Sequence, residues 1–206
     1  MFTCCWSVKG GSGVSVVAAA LALRSSRVAP AALVDLCGDL PAVLGLSEPD
    51  GPGAGEWSAA ASTSPPPLVA VTPTLSLLPR GSAALDGIDG AMLAALAADV
   101  VVDAGCLERL DDHRAMLVAS SERSLLVIRP CYLALRRATR LALRPHGIVV
   151  ISEPGRALAS DDIAAVVGAP VVAEVPVHAA IGRAVDAGLL VTRCPAPLTA
   201  ALAGPS

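Results

Sequence analysis

The sequence contains very few aromatic residues. Phe2, Trp6, Trp57 and Tyr132 are the only ones among 206 residues, although 54% of the chain is hydrophobic. The core must therefore consist mainly of Ala, Val and Leu, which is typical of a parallel sheet covered by helices. Length and composition together predict one α/β domain.

Long apolar runs and paired cysteines are also missing. Charged residues interrupt every apolar run before it reaches membrane-spanning length. The apolar segment Val14–Leu23 follows a glycine-containing stretch, unlike the start of a signal peptide. We therefore expect a cytoplasmic protein. None of the six cysteines forms a CxxC pair, and Cys4 and Cys5 are expected to be reduced thiols of the core.

Lysine is almost absent. Fourteen of the 15 basic residues are arginine, and the one lysine, Lys9, lies in a glycine-rich segment. Because a lysine ammonium is compact and flexible, its use at this single position indicates a functional role. The net charge of −3 argues against a protein that mainly coats nucleic acid.

Short apolar runs alternate with helical patterns along the whole chain. We predict strands at 2–8, 31–36, 68–71, 100–103, 125–128, 147–151 and 171–175. Helices are predicted at 14–24, 88–98, 107–119, 130–144, 161–167 and 179–187. Residues 47–67, rich in Pro and Gly, are predicted to form a loop with one helical turn near Glu56–Ala60. This alternation predicts a doubly wound, mostly parallel sheet with helices on both faces.

Two candidate site features lie at the same edge of this sheet. A glycine-rich loop follows the first strand, and Asp103 ends the strand that contains Val100–Val102. In open α/β sheets, ligands bind beyond the carboxyl ends of the strands. The sequence therefore predicts one ligand site at this edge, although an Asp at a strand end is also common in ordinary turns.

The loop itself has the composition of a phosphate site. It reads Lys9-Gly10-Gly11-Ser12-Gly13-Val14-Ser15 between a strand and a helix. Glycines allow successive backbone N–H groups to converge on an anion, and the helix N-terminus adds partial positive charge. The Ser15 hydroxyl is placed to bind Mg²⁺.

This segment resembles the deviant Walker A motif of ParA and MinD ATPases, K-G-G-x-G-K-[ST]. The resemblance implies a P-loop NTPase fold, binding of ATP and Mg²⁺, and a homodimer in which Lys9 contacts the nucleotide of the partner subunit. Val14 replaces the second lysine of the motif, which holds the β- and γ-phosphates. Loss of that lysine should weaken binding by about 1.5–3 kcal/mol, and hydrolysis should suffer more.

Other segments extend the resemblance to most of the chain. Val34–Cys37 resembles the family's V-D-x-D segment, but Cys37 replaces the second aspartate, and only Asp39 is near enough to substitute. Asp103 matches the Walker B position and would bind Mg²⁺. The strand–proline segment that ends at Pro176 resembles the one near the nucleotide base. The resemblance implies one domain over residues 1–190, including the 47–67 loop, and a C-terminal tail at 191–206.

Surface features suggest partners only weakly. Arg136, Arg140 and Arg144 recur at helical spacing, with Arg137 beside them. A solvated helix face is the favoured interpretation, and weak non-specific DNA contact is the alternative. The tail has three prolines and one arginine, so we expect no MinD-type amphipathic membrane anchor there.

Two functions therefore stay open. The first is a nucleotide-dependent switch that dimerises and positions a protein partner in cell division, partitioning or pilus and secretion machinery. Asp35–Leu46 resembles the CpaE/TadZ pilus-localisation branch. The second is a pseudo-ATPase scaffold with an empty phosphate site. A Rossmann enzyme is a weaker third hypothesis, because Gly10–Gly13 lacks the G-x-G-x-x-G spacing.

Overall fold

The computed structural model describes residues 1–60, 64–109, 112–141 and 143–203. None of the helices in these ranges combines the length and the apolar character needed to cross a bilayer. The described parts form eight strands and nine helices that alternate along most of the chain.

The strands assemble into a single mixed sheet. They are β1 Phe2–Ser7, β2 Ala31–Asp35, β3 Val69–Thr72, β4 Leu75–Leu78, β5 Asp99–Cys106, β6 Arg123–Ile128, β7 Gly147–Ser152 and β8 Val171–Pro176. Their order is β3-β4-β2-β5-β1-β6-β7-β8. Every neighbouring pair is parallel except β3 and β4. The loop after β1 therefore lies at the middle of the carboxyl edge.

Helices cover both faces of the sheet, as the sequence predicts. They are α1 Val14–Ser25, α2 Leu40–Leu44, α3 Ala54–Ala59, α4 Gly90–Ala94, α5 His113–Ser120, α6 Tyr132–Leu141, α7 Ser160–Val167, α8 Ala179–Asp186 and α9 Ala196–Ala201. Side chains alternate between faces along β1: Cys4 and Trp6 join one buried cluster, and Cys5 joins the other. The first cluster includes side chains of α3 to α7, and the second includes side chains of α1, α2 and α9.

An antiparallel hairpin at the sheet edge departs from the sequence prediction. One strand was expected at 68–71, but β3 is followed at once by β4, which pairs with β2. The Thr72 Oγ1 atom closes the turn by accepting a hydrogen bond from the Leu75 amide at 3.0 Å. Pro73 concealed this turn, because a proline between two apolar runs also fits an irregular loop.

Several predicted boundaries were wrong. The helices expected at 88–98 and 107–119 begin only at Gly90 and His113. Their starts are set by Asp89 and Asp112, which cap the helices by accepting backbone N–H bonds from Met92 and Arg114. The helix expected at 130–144 ends, among the described residues, at Leu141. Of the positions in these ranges, 110, 111 and 142 lie outside the described residues.

Candidate phosphate-binding site

The loop between β1 and α1 is fixed by two serine hydroxyls. Ser7 and Ser12 donate hydrogen bonds from Oγ to the Lys9 carbonyl oxygen, at 3.0 and 2.6 Å. Gly11 and Gly13 have φ angles of 72° and 87°, which residues with side chains rarely adopt. An added Cβ at Gly11 would meet no other atom within 4 Å, so this part of the loop faces open space.

The start of α1 leaves backbone amides without partners. Its N-cap, Gly13, makes no side-chain cap bond, and the first turn has no acidic residue. Across the described ranges, we find no acceptor for the N–H groups of Gly13, Val14 and Ser15. Unpaired amides and the helix dipole both favour an anion, so this loop end suits a phosphate group.

A cleft of about 710 Å³ opens above the loop. It is lined by Ser7, residues 10–16, Cys37, Asp39, Ala42, Val43, Gly105, Cys106, Arg114, Val185 and Asp186. Its size is in the range of small-molecule sites. The fold thus brings the predicted loop residues Gly10 to Ser15 together with Asp39 in one concavity.

Asp103 is adjacent to Ser15, Cys37 and Gly105 of the cleft, although it is not itself among the residues that line the cleft. Its side chain is fully buried, and Oδ1 accepts a bond from the Gly105 amide at 2.9 Å. The buried Oδ2 atom has no hydrogen-bond partner among the described residues. Burial raises the pKa of Asp103 to about 6, and the Ser15 hydroxyl is close enough to lower that pKa in part.

This pair of oxygens fits a magnesium ion. Mg²⁺ prefers oxygen ligands and usually combines one or two protein groups with phosphates and water. Asp103 and Ser15 supply such protein groups beside the phosphate loop. In the described parts of the chain, no cluster of three or more His, Cys, Asp or Glu side chains forms a closed metal cage, so the ion would depend on a bound nucleotide.

The loop after β2 is organised by Asp35. This buried carboxylate accepts amide bonds from Cys37, Gly38 and Leu40 at 2.8, 2.7 and 3.0 Å. Asp39, the residue that the sequence offered as a substitute, is exposed and lines the cleft. Its side chain makes no cap bond at the start of α2.

Cys37 occupies the position beside Asp103. Its Sγ atom lies 3.9 Å from the Asp103 carbonyl oxygen, and an added Cβ at Gly105 would be only 2.1 Å from the sulfur. Gly105, with φ of 65°, therefore allows this close packing. Burial raises the pKa of the Cys37 thiol to about 12, so the side chain is neutral at physiological pH.

The two lysine positions of the motif differ. Val14, the first residue of α1, is 6% exposed; it belongs to the buried cluster on that face of the sheet and also lines the cleft. Lys9 is half-buried and is not among the residues that line the cleft. The loop therefore offers backbone amides to the cleft but no lysine charge.

Sequence reasoning missed Arg114, which lines the cleft from α5. Its Nη1 atom lies 3.1 Å from the Ala104 carbonyl oxygen and 3.6 Å from Cys37 Sγ. The available signal was an arginine two positions after the Asp112 cap of the first helix to follow Asp103. The predicted helix at 107–119 obscured it by placing the helix start too early.

A second, mostly apolar cavity of about 520 Å³ adjoins the cleft. Pro176 lies in this cavity with Ile151, Val175 and Ile181, and the two spaces share Gly13, Val16, Val185 and Asp186. His178 nearby is exposed and caps α8, where its Nδ1 atom accepts a bond from the Ala180 amide at 3.1 Å.

The arginines near α6 do not form the expected stripe. Arg144 lies beyond the helix and donates to the Val167 carbonyl oxygen at 2.9 Å. Arg137 turns toward the end of β1 and donates to the Val8 carbonyl oxygen at 3.3 Å. Of the arginines considered for weak DNA contact, only Arg136 and Arg140 therefore remain as candidates on this helix.

The architecture is similar to that of solved ATPases. A ParA family ATPase from Chlorobium tepidum has a TM-score of 0.78 and 21% identity over 97% of this chain and 95% of its own. A chain of the MinC:MinD cell division protein complex of Aquifex aeolicus has a TM-score of 0.78 and 17% identity over 98% of this chain and 93% of its own. MinD from Pyrococcus horikoshii, complexed with Mg-ADP, has a TM-score of 0.78 and 18% identity over 97% of this chain and 91% of its own.

Sequence comparison alone does not reach these proteins. The chain matches no protein-family model and no curated protein at a significant level. The similarity is therefore one of fold, and it spans nearly the full length of both chains. This chain has the fold of the ParA and MinD P-loop ATPases.

Proposed function

We propose that this protein is a ParA/MinD-like switch of the cytoplasm, which binds ATP and Mg²⁺ weakly, dimerises and positions a protein partner. The observation behind this proposal is the group of unpaired amides at Gly13, Val14 and Ser15, which line one cleft, together with the unpartnered buried Oδ2 atom of Asp103, whose carboxyl group lies close to the Ser15 hydroxyl. A phosphate anion and its magnesium ion match these two sets of groups in charge and in ligand chemistry.

The nucleotide would extend along the sheet edge. Gly10 to Ser15 would hold the phosphates, Ser15 and Asp103 would hold Mg²⁺, and the apolar cavity at Pro176 would take the base. The complex of the Pyrococcus horikoshii MinD with Mg-ADP supports this assignment. Lys9, which does not line its own cleft, would contact the nucleotide of a second subunit.

Hydrolysis is proposed to be slow or absent. The side chain of Val14 offers no charge to a developing phosphate anion, and the neutral Cys37 thiol cannot orient water as a carboxylate does. Asp39 is the remaining acidic side chain from the β2–α2 loop that lines the cleft. We assign it the water-positioning role if turnover occurs.

The partner is proposed to belong to a positioning system. MinD of Aquifex aeolicus is known in complex with the cell division protein MinC, which supports protein binding by this fold. The Asp35–Leu46 segment favours pilus or secretion machinery within that class. Weak DNA contact through Arg136 and Arg140 is a secondary proposal.

A pseudo-ATPase scaffold is the second candidate. Val14 and Cys37 favour it, because both remove charged groups from the phosphate end of the cleft. In this alternative the fold is retained only as a binding surface. The two functions differ in whether nucleotide occupies the cleft.

Calorimetric titration with ATP–Mg²⁺ separates them. We expect measurable binding by the wild type, about tenfold weaker binding by Lys9→Ala, and about ten- to hundredfold tighter binding by Val14→Lys. Val14→Met is the matched control, because it lengthens the side chain without adding charge. Absence of wild-type binding at millimolar nucleotide would reject the switch and leave the scaffold.

A further inference from the structure

We propose that Arg114 supplies the positive charge that faces the terminal phosphate of a bound nucleotide, in place of the lysine missing at Val14. This inference rests on the proposed nucleotide site and adds a specificity-determining residue to it. The role is carried by the other side of the cleft, because Arg114 belongs to α5 and not to the phosphate loop.

The charges that line the cleft require such a group. Asp39, Asp186 and Arg114 are the charged residues among those that line it, within the described parts of the chain. A polyphosphate would therefore meet two carboxylates and one guanidinium. Because backbone amides offer only partial charges, Arg114 is the one full positive charge among the described residues that line this cleft, and it is shared with Asp112.

The position of the guanidinium is fixed by the strand that contains Asp103. Arg114 Nη1 lies 3.1 Å from the Ala104 carbonyl oxygen, and Nη2 lies 3.4 Å from that of Cys106. The side chain is 23% exposed, so its charge is partly desolvated yet open to the cleft. A guanidinium held in this way is already oriented before a ligand arrives.

The order of the strands indicates which phosphate it would meet. The apolar cavity at Ile151 and Pro176 lies at the β7–β8 side of the phosphate loop, whereas Arg114, Cys37 and Gly105 lie at the β5–β2 side. A nucleotide with its base in the apolar cavity therefore directs its terminal phosphate toward Arg114. ATP should depend on this residue more than ADP does.

Cys37, which stands where the V-D-x-D segment has its second aspartate, is consistent with this role of Arg114. Arg114 Nη1 lies 3.6 Å from Cys37 Sγ. A carboxylate at this position would add a second negative charge beside the guanidinium, which is already paired with Asp112, and would reduce its positive potential toward the cleft further. The cysteine is a neutral contact, so the absence of a carboxylate here and the absence of a lysine at Val14 compensate each other in charge.

Substitution of Asp112 should change ATP affinity in the opposite direction to substitution of Arg114. It forms an ion pair with Arg114, with Nε 3.0 Å from Oδ1, and it also caps α5 by accepting the Arg114 amide. Asn is as good an N-cap as Asp. Asp112→Asn therefore keeps the cap and removes the competing negative charge.

The test measures affinities for ATP–Mg²⁺ and ADP–Mg²⁺ and the melting temperature without ligand. We expect Arg114→Gln to weaken ATP binding about tenfold and ADP binding less, because the substitution removes a partly desolvated positive charge on the terminal-phosphate side of the cleft. Arg114→Lys should recover part of the loss, and Asp112→Asn should tighten ATP binding a few-fold. In a Val14→Lys background, the effect of Arg114→Gln should shrink.

Arg156→Gln is the matched control, because Arg156 is also ion-paired, with Glu153, but lies outside the cleft. Unchanged ATP binding by Arg114→Gln, with normal binding by the wild type, would overturn the role of Arg114 alone. Equal losses for ATP and ADP, together with a lower ligand-free melting temperature, would show a merely structural residue and overturn it too. No binding by the wild type would overturn the nucleotide site itself and Arg114's role with it.

Discussion

Two neighbouring strand ends present the same buried group in different settings. Asp35 of β2 and Asp103 of β5 are direct partners in the parallel register, and both are fully buried. Asp35 accepts three backbone amide bonds, whereas Asp103 accepts one and keeps a free oxygen. Burial alone therefore does not show which carboxylate has an oxygen available for a ligand; the number of hydrogen-bond donors around it does.

The two carboxylates also affect each other. Burial is the main cause of the raised pKa of each, and the negative charge of Asp35 raises the pKa of Asp103 further. The amides around Asp35 use its lone pairs to shape a loop. The free oxygen of Asp103 remains available for a cation, which would lower its pKa on binding.

The largest expected effect comes from deleting the fully bonded carboxylate. Asp35→Ala leaves the amides of Cys37, Gly38 and Leu40 without their acceptor. We expect a loss of about 3 kcal/mol in the free energy of unfolding, because each orphaned buried donor costs about 1–3 kcal/mol and the loop relaxes in part. Chemical denaturation measures this loss.

Asp35→Asn is the control for this change. It keeps one acceptor oxygen for Cys37 and Gly38 and removes the buried charge, so well under half of the loss should remain. An Asp35→Ala protein as stable as the wild type would contradict the distinction between the two carboxylates.

Changing the free carboxylate should have the opposite sign. The pKa of Asp103 is raised from 3.8 to about 6, so the folded state binds its proton more tightly than the unfolded state does. Wild-type stability from this group is therefore lost as pH rises from about 4 to 6. Asp103→Asn should gain about 1–2 kcal/mol at pH 8, after allowance for an unpaired amide group, and nothing at pH 4.

Thermal melts of both proteins across this pH range test the expectation. The sharper check adds ATP–Mg²⁺ at pH 8, where the wild type should gain stability and Asp103→Asn much less. A variant that is less stable than the wild type at pH 8 without ligand would show that Asp103 is a structural carboxylate like Asp35.

The sequence was sufficient to predict the phosphate loop and Asp103 at one edge of the sheet, but it could not predict the contacts of Arg114. Glycines between a strand and a helix, and an Asp at the end of an apolar run, are local patterns, so the loop at Lys9–Ser15 and Asp103 could be found at one sheet edge. The pairing of Arg114 with Cys37 joins residues 77 positions apart. Such contacts depend on how α5 docks, which no local pattern encodes.

The β3–β4 hairpin was missed for a related reason. Leu75 to Leu78 is a short apolar run after a proline, and its strand character is decided by pairing with β2. The start of α3 packs closely against the residues that follow the hairpin. An added Cβ at Gly53, the N-cap of α3, would lie 2.2 Å from the Gly81 amide nitrogen. Tertiary contact, more than propensity, defines this side of the fold.

The smallest expected effect concerns Glu56, a carboxylate with many donors and little burial. It accepts bonds from the Gly53 amide, the Ser82 amide and hydroxyl, and the Ala83 amide. These bonds, led by that of Gly53, lower its pKa from 4.5 to about 2. Asp35 also accepts bonds from three amides, yet its pKa is raised. The difference between Glu56 and Asp35 therefore comes from the desolvation of the buried Asp35 carboxylate.

Because the folded-state pKa of Glu56 is depressed, its contribution to stability is present above about pH 4.5 and is lost as pH falls toward 2. Gln preserves the capping-box bond to Gly53 but offers one oxygen where Glu offers two. We expect Glu56→Gln to lower stability by roughly 0.5 kcal/mol at pH 7, since an exposed charge is screened by solvent. Glu122→Gln, at an exposed position, is the control in paired melts at pH 7 and pH 3. A Glu56→Gln loss that is equally large at both pH values would mean that shape, and not charge, holds α3 against residues 81–83.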